Sequence, residues 1–489
     1  VTTQSHKAAP AFRRIVPMSI AIALFMENLD STIISTALPV IARDLNVTSL
    51  SLSMAVSVYL LSLAIFIPMS GWMADRFGSR TVFTSAIALF TVSSALCGMA
   101  QSLPMLIAAR ALQGMGGAMM TPIGRLILGR TFAKRDLVAA MAYVTVPALI
   151  GPIVGPLIGG AITTYASWRW IFYINLPIGI VGIMVVTRVL ENFRDPEVKP
   201  PDVAGFVLLG IGLAGMVMGI ENLGRGLLPE GVEAAFLVIA AVALFFYWRH
   251  TKRTENPALD LTLFRIPTFF TSIVGGTVCR VGLGAVPFLL PLLFQLGFHR
   301  TPLESGALTF TSAVGAILMK LSASPILRRF GFRRVLLANI VLISILIMTM
   351  ALFRSVTPTL LIVGVLMVSG YFRSLQFTCM GALTYADLDA RRMSSGTSIS
   401  SMSQQISISM GVAIGATLLQ FVTHLSGAAS PDAAAFIPTF LVVGAIPLLS
   451  IFIFARLPAN AGEEMSGHRL QVAEAEKDLA QSPHVSAAE

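Results

Sequence analysis

The sequence predicts an all-α polytopic membrane protein, with fourteen transmembrane helices in two six-helix bundles and two further helices inserted between them. Three observations carry that expectation. The chain has 489 residues, 55% of them hydrophobic and only 12% Asp, Glu, Lys or Arg, against the roughly 25% charge of a soluble domain. Its mean hydropathy is +0.81. The charge deficit runs along the whole chain, which excludes a soluble enzyme on a membrane anchor, and the apolar content excludes disorder. The second observation is a series of apolar runs long enough to cross a bilayer as helices. The third is a short polar motif that occurs twice at a fixed topological offset.

Taken in order, the runs lie at about 16–38, 51–72, 81–100, 103–126, 137–163, 169–189, 203–222, 233–249, 267–295, 303–325, 335–353, 357–379, 399–423 and 436–456, each close to the roughly 20 residues a helical span requires. They are numbered α1 to α14. None shows the ten-residue alternation of a transmembrane barrel. Arg13 and Arg14 ahead of an apolar run imitate a secretory signal. That run continues through Glu27 and Asp30 to Pro39 without a small-residue cleavage site, so it is read as a retained first helix. The eighth run is the least marked, being short and following the charged stretch Glu230–Glu233. Cys97, Cys279 and Cys379 all fall within spans as packing residues, with no disulfide framework implied.

Charge fixes the orientation. With the N-terminus placed in the cytoplasm, only Arg43, Arg169, Arg225, Arg300 and Arg354 fall in outer loops. Arg110, Arg280, Lys320 and Arg373 fall within the spans, and every other Lys and Arg lies in an inner loop, in a tail or at the inner end of a run, as the positive-inside rule requires. An even number of spans returns the C-terminus to the cytoplasm. The net charge of +10 would suggest nucleic acid in a soluble protein. Here topology accounts for it, and no nucleic-acid partner is expected.

Gly71-Trp-Met-Ala-Asp75-Arg76-Phe-Gly78-Ser-Arg80 closes α2, and Ser324-Pro-Ile-Leu-Arg328-Arg329-Phe-Gly331-Phe-Arg333-Arg334 closes α10. Both contain Arg-Phe-Gly-x-Arg between an inward and an outward helix. The offset is eight helices rather than six, so two helices are inserted, and α7 and α8 are the candidates. The expected organisation is a cytoplasmic tail 1–15, a bundle 16–189, a linker 190–266 carrying α7 and α8, a second bundle 267–456, and a solvated tail 457–489. Parallel repeats of this kind place a substrate site at the midplane between halves.

With these motifs the chain resembles the major facilitator superfamily, and within it the fourteen-helix drug:proton antiporter branch. The end of α1, Leu29-Asp30-Ser-Thr-Ile-Ile-Ser-Thr-Ala-Leu-Pro39, is similar to that branch's first-helix signature. The segment 71–80 is similar to the superfamily's loop motif, with Asp75, Arg76, Gly78 and Arg80 as its gating residues. Arg110-Ala-Leu-Gln113-Gly114-Met-Gly116-Gly117 in α4 is similar to the proton-coupling motif. Gly151-Pro152-Ile-Val-Gly155-Pro156-Leu-Ile-Gly159-Gly160 in α5 looks like the antiporter motif, and Trp168-Arg-Trp-Ile-Phe-Tyr-Ile-Asn175-Leu-Pro177-Ile-Gly179 is typical of the same branch. The second loop motif has Arg328 where the first has Asp75, so no second acidic gate is implied. The resemblance implies a bacterial inner-membrane transporter that exports drugs against protons, with consequences for antibiotic resistance.

The residues themselves suggest roles. Glu27 and Asp30 are the only acids deep in a predicted span, three apart on one helical turn. Desolvation and mutual repulsion favour proton uptake there, and intramembrane ionisable groups are functional by default. Arg110 lies at a depth similar to Asp30, within reach of a salt bridge to it or to Glu27. Asp75 is placed to meet the N-terminus of α13 near Ser394–Ser400, where the helix dipole is positive, in one state and release it in another. Gly151, Gly155 and Gly159 share a face that permits close helix approach, read as a seal between halves, while Pro152 and Pro156 permit bending. Pro287 and Pro291 in α9 suggest a similar bend. In the second half Arg280 sits mid-helix and is expected to face the central cavity, binding an anionic or zwitterionic substrate or pairing with the α1 acids. Lys320 and Arg373, nearer helix ends, can snorkel, and with Gln404, Gln405 and Asn175 they are candidates for the cavity wall.

The sequence has no phosphate loop and no loop long enough for a nucleotide-binding domain. It also lacks a His/Cys metal cluster and a nucleophile elbow. The expectation is therefore a transporter, not an enzyme, with no cofactor and the proton as coupling ion. It would act as a monomer in the lipid bilayer, exporting small amphipathic or cationic drugs by alternating access. The alternative is a transporter of a dedicated anionic metabolite or lipid centred on Arg280.

Overall fold

With almost no water to satisfy backbone groups in a bilayer, a spanning chain closes its hydrogen bonds within each helix. The computed structural model follows that rule. It describes residues 12–132, 134–195, 198, 200–223, 231–255, 257–389, 392–428, 430–458 and 460–463. Most of both expected tails, 1–11 and 464–489, and Arg225 lie outside these residues. Every regular element among the described residues is helical.

The observed spans begin with α1 Phe12–Ile33, α2 Ser53–Phe77, α3 Ser79–Gly98, α4 Leu103–Thr131 and α5 Lys134–Tyr165. They continue with α6 Trp170–Val189, α7 Val203–Asn222, α8 Val232–Thr251 and α9 Pro267–Gly297. The stretch Pro302–Leu352 holds both α10 and α11. They meet at Gly331, whose φ of 71° and ψ of 163° are non-helical. The last three are α12 Thr359–Tyr385, α13 Met393–Leu425 and α14 Phe436–Phe454. Helices thus stand at all fourteen expected positions, including the weakly marked eighth. Eleven helical stretches among the described residues, one of them holding both α10 and α11, are long and apolar enough to cross a membrane. The loop motif explains the two sharpest joints: Gly78 (φ 99°) separates α2 from α3 as Gly331 separates α10 from α11. A left-handed φ at both positions calls for glycine.

Helix packing repeats with the offset of eight. α1 packs on α5 as α9 packs on α13, and α2 packs on α4 as α10 packs on α12. Arg80 Nη1 donates to Leu190 O at the end of α6 (3.5 Å), and the equivalent Arg333 donates to Ala455 O at the end of α14 (2.9 Å). Two helix pairs join the halves, α2 with α13 and α5 with α10. They exchange under the same offset, as a pseudo-twofold relation requires.

α7 and α8 form a hairpin. Gly212, Gly215 and Gly219 of α7 leave no room for a Cβ beside Leu244, the Phe236 carbonyl and Leu237 of α8. α7 docks on both α2 and α13. Much of α8 faces outward, with Val238, Val242, Phe245, Phe246 and Trp248 exposed, as apolar side chains toward lipid should be.

The two ends of the molecule differ. On the face bearing the loops at Asp44–Ser53 and Phe298–Thr301, one continuous apolar core runs from Ile33, Leu38 and Leu52 to Phe288, Phe294 and Leu308. Gln295 Nε2 donates to Thr36 O (2.9 Å), Leu303 N to Thr164 Oγ1 (3.1 Å) and Ser409 Oγ to Ser57 O (3.1 Å). Toward the arginine-rich face, the first bundle instead keeps a separate core around Tyr59, Phe83, Phe90 and Ile127. The halves share a core directly at the first of these faces, while a third core links α2 to α9 and α13 by way of α7.

Candidate functional site

Two arrangements hold the intramembrane charges. The first is a sealed cluster inside the first bundle. Asp30 of α1 accepts from Arg110 Nη1 at 2.5 Å, from Gln113 Nε2 at 2.9 Å and from Asn175 Nδ2 at 3.0 Å. Gln113 and Asn175 both donate to Ser94 Oγ (2.6 and 3.2 Å), which ties α1, α3, α4 and α6 into one network. Arg110 Nε reaches Ala55 O at 3.4 Å, and its guanidinium lies 4.0 Å from the centre of the Tyr59 ring. Asp30, Arg110, Gln113 and Asn175 are all buried. A buried ion pair is tolerable only when its remaining hydrogen-bonding capacity is largely met, and this network does so for both Asp30 oxygens. Cys97 Sγ lies against Gln113 Oε1 at 3.7 Å, and the three cysteines are free and buried.

The second is a central cavity of about 660 Å³ between the halves. Glu27 stands on its wall, three residues before Asp30, and accepts from Thr121 Oγ1 at 3.0 Å. Tyr59 also lines the cavity, so its ring separates the open space from the Arg110 guanidinium. Lys320, Arg373, Gln404 and Gln405 line the opposite half, and Pro152, Pro156, Pro287 and Pro291 border the same space. Most of the remaining wall is aliphatic. That composition, apolar with a few converging polar groups, is typical of small-molecule sites.

Two expected placements are corrected. Asn175 is not on the cavity; the rotation of α6 turns it to Asp30. Arg280 is also absent from the cavity wall. It is buried, its guanidinium folded back beside Gly276 of its own helix and 6.0 Å from the Phe377 ring. Where α9 packs on α13, Gly284 has no room for a Cβ against Ile408.

The antiporter-motif helix divides its small residues. A Cβ at Gly151 would lie 2.8 Å from Leu29 N, and Gly155 and Gly159 meet Thr32 and the Ile33 carbonyl, so this face packs on α1 within one half. The seal between halves belongs instead to Gly160 against the Pro302 carbonyl and to Gly306 against the Pro156 carbonyl. In the loop motif, Asp75 Oδ1 accepts from Arg130 Nη2 at 2.8 Å, and its carbonyl accepts from Asp195 N at 3.1 Å. Gly78 abuts Asn192 and Arg76 is exposed. Among the described residues no hydrogen bond joins Asp75 to α13; the motif holds α2 to the end of α4 and to the strap after α6.

One acid escaped the sequence reading. Glu221, at the end of α7, is fully buried, accepting from Ser53 Oγ and, at 3.0 Å, from Ser57 Oγ of α2. Its place at the edge of an apolar run disguised its depth. The signal available was a serine pair spaced by four on α2, Ser53 and Ser57. Outside the spans, Asp44 is held below the usual carboxylate range by hydrogen bonds from the Trp168 indole (2.8 Å) and Arg169 (2.6 Å).

Comparison with known proteins agrees with this architecture. Two solved structures share the fold at low identity. The D-xylose-proton symporter matches with a TM-score of 0.66 at 14% identity, covering 92% of this chain and 98% of that one. The human organic anion transporter MFSD10 matches with a TM-score of 0.56 at 14% identity, covering 91% and 100%. Closer in sequence are proteins provisionally named multidrug resistance protein MdtD. The Yersinia enterocolitica protein is 37% identical over 446 residues, covering 91% of this chain and 95% of its own. The Salmonella heidelberg protein is 38% identical over 451 residues, with the same coverages. The family model described as Major Facilitator Superfamily matches residues 20–299 and 272–479. With a paired-bundle fold, a cavity between the halves and matches of this extent, the chain is a multi-pass membrane transporter rather than an enzyme, and it belongs to the major facilitator superfamily.

Proposed function

We propose that this chain is a proton-driven exporter of small amphipathic drugs that works by alternating access. One observation carries the reading: a titratable carboxylate, Glu27, stands on the wall of a closed-ended apolar cavity, one turn from a buried Asp30–Arg110 pair. The multidrug names of the MdtD relatives support the cargo class. The arginine-rich face is taken as cytoplasmic by the positive-inside rule, which puts both termini in the cytoplasm of a bacterial inner membrane. On that assignment the sealed face is the outer one, and this conformation loads substrate from within.

The cycle then follows from charge. An ionised Glu27 attracts the cationic part of a substrate entering from the cytoplasm. When the halves rock and the outer seal opens, a proton arriving from outside neutralises Glu27 and displaces the cargo. Return to the inward state carries that proton to the cytoplasm. Asp30 and Arg110 respond through the Tyr59 partition, because neutralising either wall of the ring changes the field across it. Asp75, free of α13 here, is assigned to close the cytoplasmic side in the opposite state. The transport unit is a monomer and needs no cofactor besides the proton.

The test is efflux from proteoliposomes holding purified protein under an imposed pH gradient. Glu27→Gln is expected to abolish gradient-driven ethidium movement while the protein remains folded, with Asp30→Asn reducing it strongly. Full gradient-driven transport by the Glu27→Gln/Asp30→Asn double variant would sink the reading.

A further inference from the structure

The cavity wall carries three side chains of formal charge that none of the comparisons assigns: Glu27 from one half, and Lys320 and Arg373 from the other. Lys320 Nζ donates to Thr378 Oγ1 of α12 at 2.9 Å, which holds the ammonium over the helix that carries Arg373. One turn away Ser374 Oγ binds Ala316 O (3.2 Å), fixing α10 to α12 at that level. Arg373 makes no hydrogen bond or ion pair among the described residues, and it lies partly open to the cavity. With Glu27 ionised, the wall still has one more positive charge than negative. A purely cationic guest would meet that excess.

The internal repeat explains where Arg373 comes from. Residues 110–113 of α4 read Arg-Ala-Leu-Gln and residues 373–376 of α12 read Arg-Ser-Leu-Gln, again eight helices apart. In the first copy the arginine is neutralised by Asp30 and sealed behind Tyr59. In the second, α9 supplies Arg280 rather than an acid and the glutamine turns to Asn339, whose Nδ2 donates to Gln376 Oε1 at 2.7 Å. The duplicated arginine is left without a counter-ion among the described residues. A guanidinium and an ammonium on one apolar wall are a receptor for a carboxylate or sulfonate.

Building on the exporter reading, we infer that the cargo is an amphipathic zwitterion, its acid group held between Lys320 and Arg373 and its cationic group facing Glu27. The two ends then do different work. The anion contact is independent of the coupling proton and supplies affinity in both protonation states. The cationic end competes with the proton at Glu27, which has Thr121, Tyr59 and Arg125 as its neighbours. Masking the acid group should therefore weaken binding without removing its pH dependence, and removing Glu27 should do the reverse.

Rhodamine B, a zwitterion, and its ethyl ester, a cation with the same fluorophore, isolate the acid group. Fluorescence anisotropy on the full-length protein in nanodiscs measures binding of each. The acid is expected to bind about tenfold more tightly than the ester, equivalent to about 1.4 kcal/mol. Lys320→Gln/Arg373→Gln should bring that ratio to about one, Lys320→Arg/Arg373→Lys should keep most of it, and Glu27→Gln should keep the ratio while flattening the pH dependence with which each dye binds. Equal or weaker binding of the acid by the unaltered protein, or a ratio untouched by the double glutamine variant, overturns the inference, as does failure of both dyes to bind. Should the double variant not fold, Arg373→Gln alone decides by the same ratio. Proteoliposome transport of the two dyes separates the levels. Preference for the acid in binding without gradient-driven movement of either dye defeats the proton-driven reading and leaves the zwitterion site standing. Movement of both dyes without preference does the opposite.

Discussion

Asp30 and Arg110 show how far single residues can be read. Similar depth on α1 and α4 was enough to bring them within reach, and the 2.5 Å contact follows. The rest of the network, Gln113, Asn175 and Ser94, depends on how each helix is rotated, which depth does not give. Its consequence is testable. Arg110→Ala strands a buried carboxylate and should cost about 3–5 kcal/mol, more than removal of both charges. Arg110→Lys keeps the charge but loses the Ala55 contact and the guanidinium's place over the Tyr59 ring, so it should fold yet transport at least about tenfold more slowly. Thermal melts of the detergent-solubilised variants, read beside gradient-driven efflux, check both. A wild-type melting temperature for Arg110→Ala would show that the pair is not what holds the four helices. Arg280 marks the limit of this scale: a mid-span cation suggested the cavity, and helix packing turned it elsewhere.

The loop motif and the small-residue run act at the scale of the element. Gly78 has a φ of 99°, and a Cβ there would strike Asn192. A left-handed residue other than glycine costs about 1–2 kcal/mol, and the clash adds to it. Gly78→Ala is therefore expected to lower the melting temperature by several degrees and to detach the strap at 192–195. Combining it with Asn192→Ala should recover the part due to contact but not the part due to φ. Protection of amides 192–195 against hydrogen exchange measures detachment. The run in α5 was legible as a close-packing face because its period of four is a property of any helix. Which neighbour the face meets was not legible, and it proved to be α1, with Gly160 alone of the four glycines turned to α10.

For the whole molecule the decisive feature is asymmetry between its two faces. One face shares a continuous core and hydrogen bonds across both seams, and the hairpin α7–α8 lies over the α2–α13 seam, pinned by Glu221 to Ser53 and Ser57. Alternating access requires the sealed face to part. In a variant with Cys97, Cys279 and Cys379 replaced by serine, cysteines introduced at Thr164 and Leu303 sit where the two halves already touch. Oxidation should cross-link them and stop transport, and a reductant should restore it. Undiminished transport by fully cross-linked protein would mean that this seam does not open in the cycle.

The order of the helices, the duplicated loop motif and the depth of most intramembrane charges can be read from the amino acids alone, since hydropathy, loop charge and motif spacing are local quantities that a bilayer converts directly into topology. Only the tertiary structure decided which of those charges meet. Each helix can rotate about its axis with little local cost, so packing against neighbours sets the direction of every side chain. That rotation sealed Asp30 with Arg110 and Asn175, hid Arg280, buried Glu221, and left Glu27, Lys320 and Arg373 facing one another's space.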